Sequence, residues 1–79
     1  MPRGLWKTRV LIDPAIHHGD PCIRGTRIPV ATIVGSLADG MTPEDVIKEY
    51  PQLSREDVLA ALEYAAEAVH HEALIPLTP

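Results

Sequence analysis

The segment from Gly19 to Val30, GDPCIRGTRIPV, constrains the fold of this chain more than any other stretch. It holds two prolines and two glycines. Proline fixes φ at about −65° and lacks an N–H donor, whereas glycine adopts left-handed backbone conformations. A regular helix or strand does not run through such a composition, so a tightly folded turn is predicted. Arg24 and Arg27 are the long cations of the segment, and a turn alone rarely needs both.

The length of the chain bounds its architecture. Its 79 residues leave room for one domain, predicted to span 1–79, and a chain of this size buries only about 60 to 65 % of its unfolded surface. We therefore expect a partner to add stability. The single cysteine, Cys22, excludes an internal disulfide framework. Because the sequence shows neither a leader segment nor an apolar run of about 18 residues, we expect a cytoplasmic protein that does not enter a membrane.

Charge is distributed unevenly along the sequence. Residues 1–29 carry five basic and two acidic side chains, a net of +3, whereas residues 30–79 carry two basic and nine acidic side chains, a net of −7. A basic first part predicts a polyanion or an acidic protein surface as its partner, and an acidic second part predicts a basic protein. The alternative for the acidic part is that its carboxylates only solvate the outer faces of helices.

Short strands are predicted before the first helix. Lys7 to Ile12 is rich in β-forming residues and ends at the turn signal Asp13-Pro14, and Cys22–Ile23 and Arg27–Ile28 are candidates for the return strands. Nearby prolines keep such strands short or at a sheet edge. An exposed edge invites pairing with a second copy, which predicts a homodimer.

Three helices are predicted after Pro29, where the apolar period changes to about 3.6 residues. The first runs from Val30 to Asp39 and is followed by Gly40, which suits the positive φ that ends many helices. Thr42 is the predicted N-cap of a second helix over Pro43–Glu49. Ser54 repeats this device twelve residues later and begins a longer third helix.

These elements predict a mainly α fold with short N-terminal β-strands or a hairpin, followed by a three-helix, helix-turn-helix bundle. The chain accordingly divides into a basic β arm with its Gly/Pro turn at 1–29, the bundle at 30–71 and an apolar tail at 72–79. The tail cannot stay helical past Pro76 and is expected to dock on the body or on a partner.

A helix-turn-helix raises the possibility of DNA binding, but the third helix presents mostly carboxylates, which repel phosphate. Any contact with DNA is therefore predicted at the basic first part of the chain. The candidate DNA-binding residues are Arg9, Arg24, Thr26 and Arg27. The alternative is that Arg24 and Arg27 brace the turn by bonding carbonyl groups and the carboxylates of Asp13 or Asp20.

Metal binding and catalysis are not expected. His17, His18, Cys22 and Asp13 form the one metal-like group of the sequence, and they lack the paired short spacings of a structural zinc site. A lone cysteine beside proline and isoleucine is more often a small buried hydrophobe than a nucleophile. We therefore predict no metal, no cofactor and no enzymatic activity. The three large aromatic side chains are expected in the core or in a dimer contact; they are Trp6, Tyr50 and Tyr64.

The order of these features resembles the family called domain of unknown function 433. The likeness covers about residues 9–66 and rests on the turn segment, the helix that ends in Asp-Gly, and the run from Thr42 to Ala65. The matching positions are Gly19, Pro21, Ile23, Gly25, Thr26, Arg27, Pro29, Gly40, Tyr50, Pro51, Ala61 and Leu62. The chain departs from the family pattern at Asp20 and Cys22, where members often carry lysine and valine.

The resemblance implies a winged or homeodomain-like three-helix domain, usually dimeric, that is similar to VapB-type antitoxins. Such antitoxins bind and silence a small PIN-like ribonuclease and regulate their own promoter. We therefore predict a non-enzymatic antitoxin-like module; the alternative is a free-standing helix-turn-helix transcriptional regulator. The residues predicted to bind the nuclease are acidic residues of the third helix and apolar residues of the tail: Glu63, Glu67, Glu72, Leu74, Ile75 and Leu77.

Overall fold

The computed structural model describes residues 4–15 and 19–71. It is mainly helical, with four helices and a short antiparallel pair of strands, which agrees with the predicted class. The elements in chain order are α1 (Trp6–Arg9), β1 (Val10–Leu11), β2 (Cys22–Ile23), α2 (Val30–Ala38), α3 (Pro43–Glu49) and α4 (Arg55–His71). The tail at 72–79 lies outside the described residues.

The two strands are held by the turn that follows β2. Val10 pairs with Ile23 and Leu11 with Cys22. Past β2, Gly25 adopts a φ of 81°, and Thr26 Oγ1 donates to the carbonyl of Ile23 at 2.8 Å. The turn therefore uses the glycine and the hydroxyl that the sequence places there.

The prediction of a return strand at Arg27–Ile28 is wrong. The chain turns again before these two residues can pair with a neighbouring strand along their length. Ile23 N–H donates to the carbonyl of Ile28 at 3.0 Å, and Pro29 forms a single antiparallel bridge with Cys22. Pro29 is also the N-cap residue of α2. Proline has no N–H to extend a ladder, so the helix begins where a strand would have continued.

The strand predicted over Lys7 to Ile12 is only partly correct. Its centre, Val10–Leu11, is β1, but Trp6–Arg9 forms α1. The reason is tertiary packing: the Trp6 ring stands edge-on against Tyr64 of α4, with centroids 5.2 Å apart, and Trp6 N–H donates to Glu63 Oε1 at 3.2 Å. Contacts with a helix more than fifty residues away override the local β preference.

The helices begin and end where the capping signals predict. Thr42 Oγ1 accepts from Asp45 N–H at 3.1 Å, and Asp45 Oδ2 accepts from Thr42 N–H at 3.0 Å, a complete capping box for α3. Ser54 and Asp57 exchange the same two bonds at the start of α4. The bond from Thr42 N–H is also the main reason why the pKa of Asp45 is lowered.

The core lies between α4, α2, α3 and the strand pair. Its fully buried large side chains come one from each of these elements: Ile23, Ile33, Val46 and Val58. Ala60 and Ala61 of α4 are also buried, and their small side chains let neighbouring elements approach that helix closely. As a result α4 is the element on which α1, α2 and α3 all pack.

Candidate protein-binding surface on α4

The first candidate DNA-binding residue, Arg9, is tied into the fold. Its Nη1 donates to Asp57 Oδ1 at 3.0 Å, and the side chains are 37 % and 13 % exposed. The other oxygen of Asp57 accepts from Ser54 N–H. Arg9 therefore joins α1 to the first turn of α4. The carboxylate of Asp57 balances its positive charge, which weakens the attraction of Arg9 for a phosphate group.

The turn after β2 carries the other three candidates. Arg24 Nε donates to the carbonyl of Thr8 at 3.0 Å. This is a bond to a carbonyl group of the kind expected if Arg24 braces the turn. Thr26 Oγ1 accepts from Ile28 N–H at 3.0 Å in addition to its bond to Ile23. Arg27 is exposed. Of the candidate DNA-binding set, Arg9, Arg24 and Thr26 thus have structural roles, and the two arginines of the turn still reach solvent.

A shallow cleft lies where α1 meets α4. It has a volume of about 300 Å³ and is lined by Trp6, Tyr64, Glu67 and Ala68. Glu63, one turn before Glu67, accepts from the backbone N–H of Trp6 at 3.2 Å. Two of the acidic residues predicted to bind a partner therefore lie beside the one tryptophan of the chain.

The indole of Trp6 is unusual in this cleft. Its Nε1 is buried and has no hydrogen-bond partner within residues 4–15 and 19–71. A buried unsatisfied donor costs about 1–3 kcal/mol and is rare in native structures. Glu72, Leu74, Ile75 and Leu77, the remaining residues of the predicted nuclease-binding set, lie outside the described residues.

The chemistry of the cleft suits a cation. The faces of tryptophan and tyrosine rings attract ammonium and guanidinium groups, and a carboxylate at the rim adds a charged acceptor. Trp6 and Tyr64 supply the rings, and Glu67 supplies the carboxylate. A lysine or arginine side chain of another protein is the ligand that matches this combination.

A second feature of α4 was not foreseen from the sequence. Leu59, Leu62 and Val69 are 40 %, 39 % and 57 % exposed, and Ala66 between them is exposed as well. They form one row along α4, at the solvent-exposed border of the side that carries the core residue Val58. The 3-4-3 spacing of these residues was the signal in the sequence, but spacing alone does not tell a core face from a solvent face.

Of the metal-like group of the sequence, Asp13 and Cys22 lie among the described residues. Asp13 Oδ1 accepts from Ala15 N–H at 2.9 Å in a local turn. Cys22 is 2 % exposed, as expected for a small hydrophobe, and burial, followed by the charge of Asp20, raises the pKa of its thiol. His17 and His18 lie outside the described residues. Among those described, no cluster of three metal-ligating side chains occurs, and no helix has the length and apolar character needed to cross a bilayer.

Comparison with known proteins places this fold in a family. The family described as "Protein of unknown function (DUF433)" matches residues 10–65. The chain belongs to the DUF433 family. A DUF433 member protein from Anabaena variabilis, solved by crystallography, has the same fold, with a TM-score of 0.74, 29 % identity and coverage of 89 % of this chain and 79 % of that one.

A longer relative comes from Sinorhizobium fredii. The uncharacterized protein y4eO is 38 % identical over 56 residues, which make up 71 % of this chain and 25 % of the relative. This chain therefore spans about a quarter of the length of that protein.

The two candidate surfaces relate differently to the DUF433 match. The arginine-bearing turn, Tyr64 and Glu63 lie inside residues 10–65. Trp6, Glu67 and Ala68 lie outside it on either side. The DUF433 core of this protein thus supplies one wall of the cleft, and the flanking segments supply the rest.

Proposed function

We propose that this DUF433 protein is a non-enzymatic, antitoxin-like module that binds and neutralises a small PIN-like ribonuclease. The observation that supports the proposal is the cleft between α1 and α4, which combines the rings of Trp6 and Tyr64 with the carboxylate of Glu67. A ribonuclease presents lysine and arginine side chains to its RNA. The cleft offers one such side chain a competing site.

The electrostatics of α4 favour the same partner. Its charged side chains after Arg55 are acidic along most of its length, and Glu63 and Glu67 stand on the side of the helix that borders the cleft. Complementary charge raises association rates and excludes wrong partners more than it adds affinity. The contact of a cation with an aromatic ring contributes roughly 0.5–2 kcal/mol, depending on desolvation. We infer that the cleft anchors the complex and that the acidic side of α4 orients it.

Growth rescue tests the proposal. The nuclease is first sought as the product of the neighbouring gene, or as a basic protein that copurifies in equal amount. It is then co-expressed with variants of this chain. Glu67→Lys should abolish rescue, because it places a cation beside the incoming cation. Glu49→Lys, an equally large charge change at an exposed position of α3, should leave rescue intact. Full rescue by Glu67→Lys, with the variant present in soluble form, would refute this site.

Deleting residues 72–79 tests the predicted contribution of the tail. The deletion removes Glu72 and the apolar residues that follow it, but none of the cleft residues. We expect rescue to fail, because apolar contact supplies affinity that charge does not. If the truncated protein rescues as well as the intact one, the tail has no part in the interface.

A direct binding assay needs no nuclease. Trp6 is the one tryptophan of the chain, so its indole N–H gives a single cross-peak in a ¹H–¹⁵N spectrum. Titration with a short arginine-containing peptide should shift that peak, and the same peptide with citrulline should shift it much less. Equal shifts with both peptides would show that the cleft does not select a cation.

DNA binding at the turn is the second candidate function, and the helix-turn-helix, homeodomain-like interpretation of α2 to α4 belongs to it. It is favoured by Arg24 and Arg27, which lie three residues apart on one exposed turn. A gel shift on the upstream operator should weaken steeply with salt and further in an Arg24→Ala, Arg27→Ala variant. Arg55→Ala is the control, because it removes an exposed cation from α4 rather than from the turn. Absence of binding at low salt removes this function.

A further inference from the structure

The exposed row on α4 widens the apolar side of that helix. Leu59, Leu62, Ala66 and Val69 are separated by three, four and three residues, so they lie along one line. Leu62 lies one helical turn after the core residue Val58, and the row therefore continues the apolar surface of the core outward to solvent. An isolated exposed leucine needs no explanation. A line of apolar side chains over about three helical turns is the arrangement that anchors a second helix.

The two edges of the row differ in charge. Val58 lies along one edge. Glu56 and Glu63 lie along the other edge, because they are three and four positions from Leu59 and are therefore its neighbours on the helix surface. Glu56 is exposed and Glu63 is half-buried, and His70 continues their line toward the end of the helix. The N-terminal half of the row therefore has an acidic edge.

The cation on the line of the row is already paired. Arg55 lies one turn before Leu59, at the N-terminal end of the row, and its Nη1 donates to Glu44 Oε1 at 2.7 Å. The sequence holds no lysine or arginine after Arg55. The surface thus combines aliphatic side chains with neighbouring carboxylates and offers a partner little positive charge.

We propose that the row and its acidic edge form a docking site for an amphipathic helix of a partner protein, a helix with an apolar stripe and with lysine or arginine along one edge. The stripe contacts the leucines and the valine of the row through their three- and four-residue spacing. The basic edge lies over Glu56 and Glu63, and this complementary charge selects the helix over acidic ones. A second copy of this chain would present the same carboxylates to them, so it matches the site less well.

The docking site is distinct from the cleft, although both involve α4. Tyr64 and Glu67 line the cleft, and Glu63 lies between them and the row. Stable interfaces bury about 800 Å² per partner, and four residues on one helix provide less. We therefore expect an isolated helix to bind weakly and a partner that also fills the cleft to bind more tightly. The docking site does not depend on whether that partner is a nuclease.

Two synthetic peptides test the proposal by fluorescence anisotropy with the intact chain. Both are amphipathic helices with leucine at the a and d positions of a heptad. One carries lysine along one edge, and the other carries glutamate there. The lysine peptide should bind, and the glutamate peptide should bind more weakly by about tenfold or more, because its edge is repelled by Glu56 and Glu63. Absence of binding by the lysine peptide, or equal binding by both peptides, overturns the proposal.

Apolar variants locate the binding. Leu62→Gln should raise the Kd of the lysine peptide by about tenfold, because burial of a leucine side chain is lost. Val69→Gln, at a more exposed position of the row, should also weaken binding, with an unchanged helical circular dichroism spectrum. Ile12→Gln is the matched control, because Ile12 is an exposed aliphatic side chain beside the strand pair, at 53 % exposure. Equal binding by all three variants would show that the peptide lies elsewhere.

Charge variants test the acidic edge. Glu56→Gln should weaken binding of the lysine peptide, because it removes a carboxylate beside Leu59. Glu49→Gln removes a carboxylate at an exposed position of α3 and should leave binding unchanged. An equal effect of both variants would mean that net charge alone attracts the peptide, and it would contradict the assigned edge.

Two further measurements detect a different occupant of the row. A dimer of the chain alone that is lost in Leu62→Gln, seen by sedimentation velocity, would assign the row to a second copy. Peptide binding that appears only after deletion of residues 72–79 would assign it to the chain's own tail. Either result overturns the proposal. Leu62→Gln should leave the shift of the Trp6 indole cross-peak by the arginine peptide unchanged, so failure of the docking site is distinguishable from failure of the cleft.

Discussion

Replacing Arg9 by methionine should destabilise the fold through the loss of one ion pair, while the aliphatic part of the side chain is kept. Arg9 Nη1 lies 3.0 Å from Asp57 Oδ1. Two charges about 4 Å apart attract by roughly 4 kcal/mol at an effective dielectric constant of about 20. Most of this attraction is offset by the desolvation of Asp57 and by the ordering of the arginine side chain.

The net value follows from the exposure of the two partners. Fully exposed pairs contribute about 0.2–1 kcal/mol, because solvent screens them. Asp57 is largely shielded, at 13 % exposure, but Arg9 is 37 % exposed. We therefore expect a coupling energy of about 1–1.5 kcal/mol, above the range of exposed pairs but well below that of a buried one. For a domain of this size, 1 kcal/mol corresponds to roughly 4–8 °C in Tm.

A double-mutant cycle with Arg9→Met and Asp57→Asn measures this coupling by urea denaturation at a fixed protein concentration. Asparagine keeps a side-chain oxygen that can accept from Ser54 N–H, so the cap of α4 is largely retained. The control is the same cycle on Arg55 and Glu44, a shorter but exposed pair at 2.7 Å. It should give no measurable coupling. Equal coupling in both cycles, or none in either, would refute the claim that shielding of Asp57 sets the strength of the first pair.

Four further changes should give defined results. Thr42→Ala removes the N-cap hydroxyl of α3 and should lower the free energy of unfolding by about 1 kcal/mol in urea titrations. The pKa of Asp45 is lowered, mainly by Thr42 N–H, and that of Glu44 is lowered, mainly by its own backbone N–H and then by Arg55. The stabilisation that these two carboxylates contribute is therefore complete above the unfolded-state pKa of about 4 and is lost as pH falls through the lower folded-state pKa values. In thermal melts at falling pH, the Tm of Asp45→Asn should depend less on pH than the Tm of the wild type. An unchanged pH dependence would contradict this. Gly25→Ala should destabilise by about 1 kcal/mol, since alanine is strained at a φ of 81°. Gly35→Ala should instead stabilise by about 0.5–1 kcal/mol, because Gly35 is exposed within α2 and open space surrounds its Cβ position; equal signs for the two glycine changes would show that backbone conformation does not decide them.

The parts of the fold that local chemistry determines were predictable. The bounds of α3 follow from Thr42, Pro43 and the proline after Tyr50, and the structure gives Pro43–Glu49 as predicted. The start of α4 follows from the same device at Ser54. A cap, a proline or a positive-φ glycine affects residues within about four positions of itself, so these signals can be identified directly in the sequence.

The parts that depend on distant contacts were not predictable in the same way. Lys7 to Arg9 have local β preference, but Trp6 packs on Tyr64, and no local pattern reports that contact. The basic residues of the first part were counted correctly, yet a charge count does not show that Arg9 faces Asp57 or that Arg24 bonds a carbonyl. The cleft arises from the same long-range packing, which joins residues 57 positions apart.

Because Cys22 is buried, the reactivity of its thiol reports how often the strand pair separates from the helices. Its Sγ donates to the carbonyl of Asp20 at 3.4 Å, and Cys22 forms a bridge with Pro29, the N-cap residue of α2. A water-soluble thiol reagent reaches this sulfur only when that packing opens. The chain has no second cysteine, so the labelling rate at excess reagent measures the rate of these openings. A partner bound to the neighbouring surfaces should slow the labelling.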